Sequence, residues 1–301
     1  MNIRKLAVVA LCAAIILSLV GCDPNAAANN PRLAAEPTVD PHEGMVEVSD
    51  GNGGTRWVEE YENVALNDFD ETVFYAENGR MRYSGSDYTA SHGIDVSFYQ
   101  GDIDWNAVAA DGVEFAIIRV GYRGYSEGGL FEDERFWEYI QGASEAGLRL
   151  GVYFFSQAIT AEEAREEARF VLERIGDYDI TLPVVYDWES AGVGEEARTY
   201  GLDRDTLTDC AAAFCETISE AGYTPAVYFY RSLGYEYRLD ALGDYMLWFS
   251  SVESWPTFYY KIGMWQYSFT GTVAGIGTDV DMNLYFEKIP ETTTAAETAT
   301  E

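Results

Sequence analysis

Between residues 93 and 230, short apolar runs alternate with stretches of helical spacing, which predicts alternating strands and helices. The runs that predict strands are 93–97, 115–121, 149–156, 182–186 and 224–230. The stretches that predict helices are 104–111, 132–146, 160–175 and 205–221. Gly112, Gly147 and Gly222 each stand between a helix and the next strand, where a glycine can end the helix. Repeated units of this kind are typical of parallel strands joined by crossover helices.

After residue 245 the helical spacing ends, and strands are predicted at 246–251, 262–269 and 280–286 with loops between them. The chain length suits one large domain of the α/β barrel size, or two small ones. We therefore predict an α/β fold, namely an irregular, TIM-like β/α barrel that is helix-poor in its last third.

A hairpin is predicted at 73–83, ahead of the barrel, with Asn78-Gly79 as its two-residue turn. Pairing across that turn would place four side chains on one face, which we expect to pack against the barrel: Phe74, Ala76, Met81 and Tyr83. A structural cap is the expected role, since an isolated hairpin is marginally stable in water.

The N-terminal segment has a basic start and then an apolar run, which predicts an export signal over residues 1–21. The junction Leu19-Val20-Gly21-Cys22 resembles a bacterial lipobox, with an ordinary cleaved signal as the alternative. It predicts lipid on Cys22, which would anchor the protein to the outer face of the cytoplasmic membrane, facing the cell wall. The segments that we expect to follow are a disordered tether (22–54), a small β-hairpin extension (55–90), the barrel (91–290) and a disordered tail (291–301).

The charge composition disfavours some classes of binding partner. Acidic residues number 51 against 19 Lys and Arg, a net charge of −32, so the chain should be repelled by nucleic acid. Cys210 and Cys215 lie on one predicted helix and would point about 140° apart, so we expect buried free thiols rather than a disulfide. We also expect a monomer without a cofactor. We expect no metal site, because the acids lack nearby histidines and a loop of regular oxygen-ligand spacing.

Two carboxylates follow the strand 182–186 directly. Asp187 and Glu189 should face one side and Trp188 the other, because side chains alternate along a strand. Carboxylates this close cannot both ionise easily, so we expect the charge of Asp187 to raise the pKa of Glu189. An acid beside an anion is what glycoside-cleaving sites require. Asp95 and Asp281 also stand at strand ends on the predicted working face of the barrel.

Aromatic residues cluster at similar positions, and rings among acids suit a neutral polyhydroxylated substrate. Core packing is the alternative for each ring. The candidate substrate-binding residues are Tyr153, Gln266, Tyr228, Trp248 and Trp265.

Seven motifs, in this order, resemble those of glycoside hydrolase family 25, the Chalaropsis-type lysozymes or N-acetylmuramidases. They are GIDVSFYQG at 93–101, DW at 104–105, FAIIR at 115–119, AGLRLGVYFF at 146–155, PVVYDWE at 183–189, MWQYS at 264–268 and DMN at 281–283. The resemblance covers about residues 91–290. It implies a flattened barrel that cleaves the β-1,4 bond between N-acetylmuramic acid and N-acetylglucosamine in peptidoglycan glycan strands.

The resemblance also implies roles for single residues. Glu189 matches the proton donor, and Asp187 the residue that orients the substrate acetamido group or stabilises its charge. Asp95 and Asp281 match the first-strand and last-strand acids, while Tyr153 and Gln266 match positions lining the sugar site. The nucleophile stays open between a protein carboxylate and the substrate's acetamido group.

Three alternative functions follow from the same residues. A peptidoglycan-binding surface lipoprotein without activity would keep the groove and lose the chemistry. An enzyme for another aminosugar polymer, such as chitin, would keep the acids in a different pattern. A divalent-metal site would use the acid cluster itself.

Overall fold

The computed structural model describes residues 40–190, 192, 194–243 and 245–290. Its strands are β1 (Met45–Ser49), β2 (Thr55–Glu59), β3 (Phe74–Glu77), β4 (Arg80–Tyr83), β5 (Tyr88–Val96), β6 (Phe115–Arg123), β7 (Leu130–Glu132), β8 (Arg149–Ser156), β9 (Ile180–Trp188), β10 (Pro225–Tyr230), β11 (Met246–Ser250), β12 (Met264–Gly271) and β13 (Val280–Lys288). Its α-helices are α1 (Trp105–Ala110), α2 (Phe136–Glu145), α3 (Ala161–Ile175), α4 (Arg204–Glu220), α5 (Arg231–Gly234) and α6 (Leu239–Leu242).

Eight strands close a barrel, because β5 pairs with β6 on one edge and with β13 on the other. The order around the barrel is β5, β6, β8, β9, β10, β11, β12, β13. Neighbours run parallel except for β13, which is antiparallel to both β12 and β5. The described chain between β11 and β13 contains no helix. The predicted irregular, helix-poor barrel is confirmed.

Helices α1, α2 and α4 end as the glycine pattern predicts. Gly112, Gly147 and Gly222 have φ values of +85°, +78° and +88°, the left-handed conformation that stops a helix. The start of α2 was predicted too early, at residue 132. Leu130–Glu132 instead forms β7 against β6, and Asp133 accepts a hydrogen bond from the backbone of Arg135 just before the helix begins.

The barrel interior and its outer layer are packed by alternate residues of the same strands. Inward residues such as Phe115, Ile117 and Met264 form one buried cluster, and outward residues pack against helices and hairpins in another. A Cβ added to Gly93 would lie 2.2 Å from the Phe115 ring, so this glycine makes room for it. Apolar side chains therefore fill one end of the barrel and leave the other end to polar groups.

The N-terminal extension contains two hairpins, β1–β2 and β3–β4, rather than the one predicted. The predicted tether of residues 22–54 is therefore wrong at its C-terminal end, where β1 lies. Val48 and Val58 are buried, so packing stabilises this hairpin, which the short apolar pattern in the sequence did not predict. The predicted turn is confirmed, since Asn78 and Gly79 both have positive φ values, +52° and +75°.

The β3–β4 hairpin covers the outer face of β12 and β13, where crossover helices are missing. The Phe74 ring lies 5.7 Å from the ring of Trp265 and 6.0 Å from that of Phe286, centroid to centroid. Met81 and Tyr83 also pack against this core. Ala76 does not: it was predicted to join them but is exposed, near the tip of the hairpin.

Cys210 and Cys215 are buried and unbridged, as predicted. Within the described ranges, no helix combines the length and the apolar character needed to cross a membrane. The predicted export segment, Cys22 and the tail 291–301 lie outside the described residues.

Phe74→Ala should lower the free energy of unfolding by about 3–5 kcal/mol, because it empties a buried aromatic site between the hairpin and the barrel. Tyr75→Ala is the matched control. Tyr75 is the next residue and is 47% exposed, so its loss should change the stability by less than about 0.5 kcal/mol. Urea unfolding measures both, and equal midpoints for the two variants would show that the hairpin is not part of the packed unit.

Candidate active site

A cavity of about 220 Å³ lies at the carboxyl ends of the parallel strands and has four acidic residues in its wall. Asp95 stands near the end of β5, Asp187 near the end of β9, and Glu189 directly after β9. Asp281 is near the start of β13, which lies at the same end of the barrel because this strand is antiparallel. All four predicted acids are thus brought together in what we call the acid cavity.

Strand register sets the positions of these carboxyl groups. Asp281 is the direct cross-strand partner of Asp95 in the antiparallel pair of β13 and β5. Asp187 and Glu189 both face the acid cavity, whereas Trp188 lines a different cavity on the other side of β9. The predicted alternation along this strand is confirmed.

A buried hydrogen-bond network holds Asp95. Its Oδ2 accepts a bond from Gln266 Nε2 at 2.9 Å and one from Asn283 Nδ2 at 2.7 Å. Gln266 Oε1 in turn accepts bonds from the hydroxyls of Tyr228 and Ser250, at 2.8 and 2.7 Å. The Asn283 amide is also fixed by a hydrogen bond, since the indole N–H of Trp248 donates to Asn283 Oδ1 at 2.9 Å.

Burial raises the pKa of all four carboxyl groups. The pKa of Asp95 rises to about 6, although its two amide donors act against the rise. For Asp281, burial and then the charge of Asp95 raise the pKa to about 8. The pKa of Asp187 is raised well above its ordinary value, first by burial and then by the charge of Glu189. The cavity therefore favours the protonated forms of these carboxyl groups more than water does.

The predicted cause of the raised Glu189 pKa is wrong. Burial raises this pKa first, and the nearby charge of Asp95 raises it further. Asp187 has the opposite effect, because its hydrogen bond to Glu189 lowers that pKa. The two carboxyl groups on β9 thus share a hydrogen bond, and the charge that acts on Glu189 comes from across the barrel.

Arg119 is the cationic side chain among the described residues that line the acid cavity. Its Nε donates to Asp133 Oδ2 at 2.7 Å, and its guanidinium lies 5.2 Å from the Phe98 ring centroid. These contacts hold the cation in place, where its charge opposes the rise in the pKa of Asp187. No role had been predicted for Arg119, Ser250 or Asn283. The alternation of side chains along a strand could have predicted Asn283, which stands two residues after Asp281 and so faces the same side of the strand.

Four of the five predicted substrate-binding residues line the acid cavity: Tyr153, Tyr228, Trp248 and Gln266. Trp265 does not, and its prediction is wrong. It is fully buried in the outer layer and donates its indole N–H to the Ser251 carbonyl at 3.0 Å. Because Gln266 faces inward, its neighbour in the strand must face outward. Tyr99, at 69% exposure, supplies an open ring surface on the cavity wall.

A larger cavity, about 530 Å³, lies at the opposite end of the barrel, beside the first residues of β11. It is largely apolar, and Asp240 is the one acid among its described lining residues. We therefore assign the active site to the smaller cavity. In the described part of the chain, no group of three or more His, Cys, Asp or Glu side chains is arranged to hold a metal ion.

The chain is similar to known lysozymes in sequence and in fold. Lysozyme M1 of Streptomyces globisporus is 30% identical over 211 residues, which cover 66% of this chain and 69% of that protein. The bacterial lysozyme structure from Streptomyces coelicolor is 27% identical with a TM-score of 0.55, over 65% of this chain and 92% of that one.

The modular autolysin LytC of Streptococcus pneumoniae, solved also with a synthetic peptidoglycan ligand, is 25% identical with a TM-score of 0.57. The match covers 81% of this chain but 57% of the autolysin. The model of the family described as glycosyl hydrolases family 25 matches residues 94–276, more than half of the chain. The chain therefore belongs to family 25 of the glycosyl hydrolases, a family of glycoside-cleaving enzymes.

Proposed function

We propose that this protein is a peptidoglycan hydrolase that cleaves the β-1,4 bond between N-acetylmuramic acid and N-acetylglucosamine. The observation that carries the proposal is the convergence of four carboxyl groups, two buried and two half-buried, in one cavity at the mouth of the barrel. Glycoside cleavage needs a carboxylic acid that protonates the leaving oxygen and a carboxylate beside the developing positive charge. The lysozymes among the relatives, and the autolysin solved with a peptidoglycan ligand, support this substrate.

Glu189 is the proposed general acid. It stands just beyond the end of β9 and lines the acid cavity, and burial keeps its pKa above the ordinary glutamate value. Its backbone is held from behind, because the fully buried Gln157 donates from Nε2 to the Glu189 carbonyl at 2.7 Å. A carboxyl group with a raised pKa on a fixed backbone suits proton transfer to a glycosidic oxygen.

Asp187 is the proposed partner for the acetamido group of the sugar. Apart from the hydrogen bond that the two carboxyl groups on β9 share, its buried Oδ1 has no partner among the described residues. A buried oxygen without a partner is costly, so a ligand group that bonds to it is favoured. An acetamido N–H directed into the cavity would supply that bond.

The size and the walls of the acid cavity suit part of a glycan strand. At about 220 Å³ it is smaller than a pocket for a drug-sized ligand, about 300–1,000 Å³, so it encloses only a portion of a polymer. The rest of the strand would lie over the open mouth, where the ring of Tyr99 offers an apolar face to a sugar.

We further propose that Cys22 carries lipid and holds the enzyme on the outer face of the bacterial cytoplasmic membrane. The support is the Leu19-Val20-Gly21-Cys22 junction after a basic and apolar leader. An anchored enzyme would work on the cell wall next to that membrane.

Glu189→Gln should reduce turnover of peptidoglycan fragments by about 10²–10⁴-fold, because it keeps the shape of the side chain and removes the proton. Glu196→Gln, an exposed acid beyond the same strand, is the matched control and should keep wild-type turnover. Mass spectrometry of the new reducing ends identifies the bond cleaved. Near wild-type turnover by Glu189→Gln would reject the assigned acid, and binding without cleavage by the wild type would favour the non-catalytic alternative.

Asp281→Asn should stabilise the folded protein at alkaline pH. The pKa of Asp281 is about 8 when folded and 3.8 ordinarily, so ionisation opposes folding and stability is lost as the pH rises toward 8. The variant cannot ionise there, so above pH 8 its free energy of unfolding should exceed the wild-type value by at least about 1.4 kcal/mol, the equivalent of one pKa unit. Asp279→Asn, at an exposed position two residues earlier, is the control for urea unfolding at each pH. A gain that is equal at pH 4 and pH 9 would contradict the linkage.

Cys22→Ala should abolish incorporation of a fatty-acid analogue and release the protein from the membrane fraction, because the lipid has no other attachment point in this proposal. Labelling and fractionation of expressing cells measure both effects. A variant that still labels would exclude Cys22 as the modified residue.

A further inference from the structure

Three buried side chains form a directed chain of hydrogen bonds beneath the acid cavity. The Trp248 indole donates to Asn283 Oδ1 at 2.9 Å, and Asn283 Nδ2 donates to Asp95 Oδ2 at 2.7 Å. Trp248 is 2% exposed and Asn283 is fully buried, so water does not compete for these bonds. These hydrogen bonds therefore connect the Trp248 ring on β11 to the Asp95 carboxyl group on β5 through the Asn283 amide on β13.

The chemistry of the first donor fixes the direction of this chain. An indole N–H can only donate, so Asn283 must present its oxygen to Trp248 and its NH₂ group to Asp95. Gln266 also donates to Asp95, but its far end meets the hydroxyls of Tyr228 and Ser250. Hydroxyls can donate or accept, so they would tolerate a reversed amide. Trp248 is thus the group that sets the orientation.

We propose that Trp248 acts through the Asn283 amide to keep the negative charge of the Asp95–Asp281 pair on Asp95 and the shared proton on Asp281. The two carboxyl groups are direct cross-strand partners, so they cannot both ionise easily. Two N–H donors bind Asp95 Oδ2 and stabilise its charged form. In the described part of the chain, Asp281 has no such donor and hydrogen-bonds to Asp95 instead.

This inference rests on the proposed glycosidase function for its consequence. A charge fixed on Asp95 lies in the acid cavity, where it can face the positive charge that develops on the sugar. Trp248 is then a positioning residue, since it acts on the chemistry through two other side chains. The titratable groups that face Asp95 in this cavity are Asp281, Asp187, Glu189, Arg119, Tyr99, Tyr153 and Tyr228.

The test is a site-resolved ¹³C carboxyl NMR titration, with signals assigned from Asp95→Asn and Asp281→Asn. In the wild type, Asp95 should titrate at lower pH than Asp281. In Trp248→Phe, the Asp95 midpoint should rise by about one pKa unit, tenfold in proton affinity, because the amide is no longer oriented. The acid limb of kcat/KM should move to higher pH by the same amount, since activity is lost where Asp95 gains a proton.

Two further variants keep the result interpretable. Asn283→Leu removes the donor itself and should raise the Asp95 midpoint at least as far as Trp248→Phe does. Trp265→Phe is the matched control, because it deletes an equally buried indole N–H on the neighbouring strand, outside the acid cavity. It should lower the melting temperature without moving either midpoint.

Three results would overturn the proposal: Asp281 titrating below Asp95 in the wild type, an unchanged Asp95 midpoint in Asn283→Leu, or an unchanged midpoint in Trp248→Phe. The wild-type order needs no variant, so it decides the charge assignment even where a substitution prevents folding. The titration also needs no substrate. If the expected order is found but peptidoglycan is not cleaved, the glycosidase function alone fails; cleavage with the reverse order rejects this inference alone.

Discussion

Strand β13 closes the barrel by pairing antiparallel with both β12 and β5, and the acid cavity depends on that pairing. It brings Asp281 and Asn283, from the last strand, against Asp95 on the first strand of the barrel. A slip of one residue in this register would turn both side chains outward and remove a carboxyl group and an amide donor together. The closure therefore determines the geometry of the site as well as the continuity of the sheet.

The charges of the acid cavity lower the stability of the folded protein, and the rest of the barrel must offset this loss. Two of the four carboxyl groups are buried and two are half-buried, so their ionisation opposes folding and their pKa values are raised. Apolar packing at the closed end of the barrel and satisfied hydrogen bonds around Asp95 contribute in the other direction. Such a conflict between stability and chemistry is common where a protein needs a protonated acid at neutral pH.

The N-terminal extension supplies the outer layer that the irregular half of the barrel lacks. The family match begins at residue 94, so both hairpins lie outside it. Phe74 nevertheless packs against Trp265 and Phe286, whose strands have no crossover helix over them. Asn67 ties the linker between the hairpins to the carbonyls of Pro256 and Phe258, at 2.8 and 2.9 Å. We infer that this region belongs to the folded unit even though the chemistry lies at the other face of the sheet.

The sequence alone determined features that depend on a few neighbouring residues. Alternation placed Asp187 and Glu189 on one side of β9, Asn78-Gly79 marked a turn, and three glycines marked helix ends. The rule that working residues of a β/α barrel lie at strand ends then predicted that the four acids meet at one end of the barrel. These signals are local, because side-chain direction and backbone conformation are set within one strand or one turn.

Tertiary structure alone decided what depends on partners distant in the chain. β5 begins at Tyr88, earlier than its apolar run, because β13 extends to Lys288 and pairs with it there. Trp265 belongs to the core because a hairpin covers it, and the charge that raises the pKa of Glu189 belongs to Asp95 across the barrel. Pairing, burial and charge act through space, and the linear order of residues does not contain those distances until the barrel closes.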